Sequence, residues 1–195
     1  MAHFVSESKG GDFERPPVGM QPAVASKIYD LGYQPGYKGG KPKRKYVVLF
    51  ELSPRYTKGD LVGQHMAVTR EYSASFGTAE KPTDLRRDLV SWRTRQFTKE
   101  ELAKFDLDAI LNHPCTLSLV ADKTEDGKDW INISAILPPM KGVEKVTVEY
   151  PADYIPAWVQ KKVNAQLPDP EAESTFDVGS DAPPSAGSSD DDIPF

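Results

Sequence analysis

The 195-residue sequence predicts a mainly β domain carrying one helical insertion, and three observations predict it. Apolar residues come in short runs, several alternating with polar residues as half-buried strands require. Gly, Pro and Asp-Gly punctuation separates these runs. The one stretch with helical spacing and capping signals falls between the third run and the fourth.

Taken in order, residues 23–31 read as a first strand closed by Gly32. Residues 33–45 are rich in Gly, Pro and basic side chains and read as a long loop. Residues 45–52 form a second strand, and the continuous apolar run Val47, Val48, Leu49, Phe50 implies burial on both faces. Residues 65–76 form a third, with Met66, Val68, Arg70 and Tyr72 on one face and Ala67, Thr69 and Glu71 on the other. The fourth and fifth strands, residues 115–121 and 130–137, flank Glu125-Asp126-Gly127-Lys128, which carries the Asp-Gly hairpin signal. In the insertion, Pro82 suits a first helical turn, and Leu85, Leu89 and Trp92 then share one face. Thr98 with Glu101 makes a capping box that opens a second short helix through Phe105, and a further turn leads into Pro114. Five strands with a helix between the third and fourth is the order of the OB-fold, a five-stranded Greek-key barrel that binds oligonucleotides on strands 2 and 3 and on its 1-2 and 4-5 loops.

Hydrophobic residues make up 38% of the chain and charged residues 27%, the balance of a soluble protein with one modest core. The longest uninterrupted apolar stretch, residues 47–50, falls far short of the roughly 20 residues of a membrane-spanning helix. Glu7, Lys9 and glycines stand where an export signal needs an apolar run, so an intracellular, cytoplasmic location is expected. One cysteine, Cys115, and three histidines leave no internal disulfide and no structural zinc set. The net charge of −5 is uneven: residues 168–195 carry −8, leaving +3 on the rest. That tail is rich in Pro, Ser, Gly and Asp and cannot bury enough apolar surface to offset the entropy of ordering. The chain therefore divides into a flexible arm (1–17), a folded domain (18–167) and a disordered acidic tail (168–195).

No enzyme constellation emerges, and no cofactor or metal is expected. The glycine-rich stretch around Gly36, Gly39 and Gly40 is no phosphate loop, because Pro35 and Pro42 occupy the required glycine and hydroxyl positions. Asp122, Asp126 and Gly127 fit part of a calcium loop, but Ile133 stands where the closing glutamate belongs. Cys115 lacks a neighbouring base and orienting group. The loop is more informative: Lys38, Lys41, Lys43, Arg44 and Lys45 are interleaved with Tyr33, Tyr37 and Tyr46. Cations track phosphates while aromatic faces accept unstacked bases. A solvated basic loop with half-buried tyrosines is the competing reading, and the loop's place beside an OB groove favours binding. Arg70, Tyr72 and Phe76 on the third strand extend the surface, with Phe76 the one of the three most suited to the core. Trp130, beside the 4-5 hairpin, is either a stacking residue or a buried one.

Two resemblances follow. Asp190, Asp191, Asp192, Ile193, Pro194 and Phe195 are similar, residue for residue, to the C-terminal tip of bacterial single-stranded DNA-binding proteins, which docks on replication and repair enzymes. The resemblance implies that Phe195, with Ile193 and Pro194, fills an apolar pocket while the aspartates lie on a basic ridge. The body resembles a family of phage single-stranded DNA-binding proteins with OB-folds. The segments that carry this are Tyr29-Asp30-Leu31-Gly32-Tyr33-Gln34, Phe50-Glu51-Leu52, Arg70-Glu71-Tyr72-Ser73, residues 85–92, Phe97-Thr98-Lys99-Glu100-Glu101-Leu102 and Pro114-Cys115. The expected function is noncatalytic coating of single-stranded DNA in bacteriophage replication, recombination or repair, inside the infected host, with partner enzymes recruited by the tail. The alternative is an interaction adaptor that uses the tail tip without binding DNA. A further expectation is that the tail folds over the basic groove and competes with DNA.

Overall fold

The computed structural model describes residues 14–123, 127 and 129–170. Five strands form one antiparallel sheet: β1 (Gly19–Gln34), β2 (Lys43–Arg55), β3 (His65–Ser73), β4 (Pro114–Lys123) and β5 (Asp129–Leu137), in the order β3-β2-β1-β4-β5. The sheet is open, because no backbone ladder joins β3 to β5 among the described residues. The mainly β class is as the sequence predicts. Both β1 and β2 run further than their apolar cores, so the loop between them is shorter than residues 33–45.

Alternation decides the inner face. Val48, Phe50 and Leu52 of β2, Met66 and Val68 of β3, Leu117 and Leu119 of β4, and Ile133 and Ile136 of β5 are all buried in one cluster. Helix α1 (Asp84–Arg93) closes it with Leu85, Leu89 and Trp92. Its N-cap is Thr83, whose hydroxyl accepts from the Arg86 N–H, so Pro82 lies just outside the helix and not in its first turn. The Trp92 indole N–H donates to the Pro114 carbonyl (2.9 Å), tying the helix to the start of β4. Helix α2 (Lys99–Ala103) opens with the capping box of Thr98 and Glu101 and ends at Ala103. Cys115 sits in this core opposite Ala23 of β1, and burial pushes its thiol pKa up.

The outer face of β1 and β2 has its own cover. Residues 146–167 cross it and finish in helix α3 (Ala157–Asn164). Val159 is fully buried against Leu31 and Val47, with Tyr29 and Val163 beside them. Glu51 is 0% exposed, and its carboxylate accepts the backbone N–H groups of Glu149 (2.8 Å) and Tyr150 (3.3 Å). The Tyr150 hydroxyl donates to the His65 carbonyl (2.9 Å) and that of Tyr29 to the Tyr154 carbonyl (2.7 Å). Arg55 grips Glu149 with two hydrogen bonds (2.6 and 2.7 Å). Lys162 pairs with Glu71, and the Leu167 N–H donates to the Tyr33 carbonyl (2.8 Å). Residues 146–150 join no ladder among the described residues.

Candidate nucleic-acid interface

The loop between β1 and β2 is a tight projection. A Cβ on Gly36 would lie 2.3 Å from the Gly40 carbonyl oxygen and 2.4 Å from that of Lys41, so only glycine lets the chain close on itself there. The closure drives a 3-10 turn, Tyr37–Gly39, into solvent. Tyr37 is 86% exposed, and the Lys38 ammonium lies 5.3 Å from its ring centroid. Lys38, Lys41 and Lys43 are exposed and form no ion pair among the described residues. An exposed aromatic beside unneutralised cations is the combination that single-stranded nucleic acid requires.

The remaining basic residues of the loop are engaged. Arg44 donates to Asp30 through its Nε (3.1 Å) and a terminal nitrogen, and the partnership lowers the Asp30 pKa against the opposing effect of its burial. Lys45 pairs with Glu71 at 2.7 Å. Glu71 thus holds both Lys45 and Lys162; burial opposes its ionisation, and the two ammonium hydrogen bonds overcome it, keeping its pKa below the ordinary range. Tyr33 is half-buried in β1, bridged to Leu167.

Two residues assigned to the surface from sequence belong elsewhere. Tyr72 is 4% exposed, with its hydroxyl donating to Asp88 (2.8 Å), so it has no free face for a base. Burial first, and then the Asp88 charge, pushes its pKa far up. Arg70 directs its Nε at Asp88 (2.7 Å) and a terminal nitrogen at the Ile133 carbonyl, spanning the unpaired gap between β3 and β5. Burial keeps the Asp88 pKa raised even against the Arg70 charge. The signal was present in the alternation, which puts Arg70 and Tyr72 on the same face as Met66 and Val68.

Trp130 is 51% exposed and stands opposite Asp122 on the hairpin of β4 and β5. That hairpin extends past Gly19, the beginning of β1, whereas Tyr37 lies past the end of β1. The two exposed aromatics are therefore at opposite ends of the sheet. Between them the outer face of β2 is covered by residues including Glu149, Tyr150 and Val159, so strand 2 does not offer the open surface expected of it. The tail residues Asp190, Asp191, Asp192, Ile193, Pro194 and Phe195 lie outside the described residues.

Two clefts border the helical insertion. One, of 440 Å³, is lined by Tyr46, Ser75, Phe76, Leu85, Leu102 and Phe105, among others. The other, of 530 Å³, lies between Trp92, Arg93, Phe105, His113 and Pro139. Phe76 is only partly buried, in an aromatic group with Phe97 (4.7 Å between centroids) and Phe105 (5.8 Å), and it lines the first cleft. Tyr46 shares the parity of Val48 and Phe50, which places it at the open end of the inner face. No group of His, Cys, Asp and Glu suited to a metal ion occurs among the described residues, and none of their helices is long and apolar enough to cross a membrane. In comparisons with known proteins, no family model matches the chain and no curated protein matches it.

Proposed function

We propose that this protein binds single-stranded DNA through the loop of residues 35–43 and one end of an OB-type sheet, without catalysis and without sequence preference. The observation that carries the reading is the projection of Tyr37 beside Lys38, Lys41 and Lys43, which form no ion pair among the described residues. The strand order β3-β2-β1-β4-β5, with the helical insertion between β3 and β4, supports the finer assignment: it is the OB order opened at the β3/β5 seam, with Arg70 bridging the gap. The tip at Asp190 to Asp192 with Ile193, Pro194 and Phe195 would recruit replication and repair enzymes, in keeping with its resemblance, and a role in bacteriophage DNA metabolism inside the host cytoplasm follows from the same resemblances.

The test is fluorescence anisotropy of a labelled oligo-dT of about 30 nucleotides at several salt concentrations, with duplex DNA as competitor. Three neutralised phosphates give a slope of log K against log[salt] of about −2, from about −0.7 per contact on single strands. Tyr37→Ala is expected to weaken binding about fivefold or more. A salt-independent affinity would count against the reading.

The covered outer face of β1 and β2 favours one second reading, a protein-interaction adaptor whose sheet is closed to nucleic acid and whose partners are captured by the tail. Absence of oligo-dT binding at low salt would select it.

A further inference from the structure

We infer that the cleft between the β2–β3 end of the sheet and the helical insertion receives an unstacked base of the bound strand, so that DNA runs from Tyr37 into the insertion and not across the strands. This rests on the single-stranded DNA reading and adds to it a path and a pocket.

Three observations converge on it. First, the central route is closed: Val159, Tyr150 and Glu149 occupy the outer face against Val47 and Glu51. Second, the cleft adjoins the cationic loop directly. The Ala74 N–H donates to the Arg44 carbonyl (2.9 Å), and Lys45 and Tyr46 pair in register with Ser73 and Tyr72, so the start of β2 forms one wall. The Arg44 guanidinium lies 5.8 Å from the centroid of the Tyr46 ring that lines the cleft, and exposed Lys43 is next along the strand. Third, the chemistry of the lining suits a base. Tyr46, Phe76 and Phe105 offer aromatic surface, Leu85, Leu102 and Leu107 complete an apolar floor, and no charged side chain lines the space. Its 440 Å³ lies within the roughly 300–1,000 Å³ of small-molecule sites.

Charge sets the orientation. Exposed Lys43 stands on the β2 side, where Arg44 is held by Asp30, whereas exposed Asp106 and Asp108 flank Leu107 on the far side. A nucleotide would therefore enter with its base between Tyr46 and Phe76 and its phosphates toward β2. The same asymmetry disfavours duplex DNA, which keeps its bases stacked inside.

The experiment is ultraviolet crosslinking of the full-length protein to oligo-dT carrying 5-iodo-deoxyuridine, with adducts mapped by mass spectrometry, beside anisotropy of Tyr46→Phe and Tyr46→Leu. The expected result is adducts at Tyr46 or Phe76, an affinity about tenfold weaker in Tyr46→Leu, and wild-type affinity in Tyr46→Phe, which keeps the ring. Binding with adducts confined to Tyr37, Trp130 or residues 146–163, and an unchanged Tyr46→Leu, would overturn the cleft while leaving the DNA reading in place. Failure of the wild-type protein to bind oligo-dT would overturn both. Because the adducts are mapped on the wild-type protein, the inference stays falsifiable even if Tyr46→Leu fails to fold.

Discussion

The two halves of the sheet solve the same problem in different ways. In β2 residues 47–52 are all buried, the inner face by the core and the outer by residues of the 146–167 segment such as Tyr150 and Val159. In β5 burial alternates, with Ile133 and Ile136 inside and Trp130, Asn132 and Ser134 facing solvent. The difference teaches that the continuous apolar run of β2 required a second layer, which the chain supplies from its own later residues. The outer face of β2 is then covered, while that of β5 stays open to solvent.

The largest effect that sharpens this contrast is expected from Val159→Asp, which buries an unpaired charge between Leu31 and Val47. Urea denaturation should show a loss of more than about 3 kcal/mol, while Asn132→Asp on β5 changes stability by less than about 0.5 kcal/mol. Equal losses would break the comparison. Next is Glu51→Gln, which keeps the volume but turns one acceptor into a donor facing the amides of Glu149 and Tyr150. Its expected cost is about 1–3 kcal/mol by the same measurement.

A smaller effect comes from acid. Glu71 and Glu149 both have pKa values below the ordinary glutamate range, Glu71 because its lysine hydrogen bonds outweigh burial and Glu149 chiefly through its hydrogen bonds to Arg55. Groups with depressed folded-state pKa contribute stability that is fully present above their unfolded pKa and is lost as pH falls through the folded value. Lowering the pH through and below the ordinary glutamate range should therefore move the Val159 methyl resonances toward random-coil positions before those of Ile136. Simultaneous movement would mean that the cover and the core are one cooperative unit. The smallest effect is expected from Trp130→Ala, a stability change within about 0.5 kcal/mol, because half of that ring is already in solvent.

Much of the fold was legible where a local rule acts alone. The capping box of Thr98 and Glu101, the helical face of Leu85, Leu89 and Trp92, and the alternation of β3 all appear as the residue pattern requires. The cover over β1 and β2 was not legible, because its anchors Tyr150 and Val159 are spaced by a path across a surface, an interval that follows no helical or strand period. The candidate site was legible in part. Tyr37 and its lysines stand out in the sequence as they do in space, but pairing removed Arg44 and Lys45 from the free cations, and parity removed Tyr72. The cleft beside Tyr46 and Phe76 brings together residues from β2, the segment after β3 and the insertion, and no single stretch of sequence contains it.

Cys115 gives the molecule an internal clock. It is the only cysteine in the chain and lies buried on β4 beside β1, against a small cavity that Pro139 and residues 143–146 also line. A thiol reagent can reach it only when the core opens or residues 139–146 lift from it, so the rate of modification in native buffer counts those openings. Each tenfold change in that rate corresponds to about 1.4 kcal/mol in the opening equilibrium when closing is fast. Release of Val159 and helix α3 alone would leave the clock running at its native speed, and kinetics at one sulfur can thus separate loss of that contact from loss of the fold.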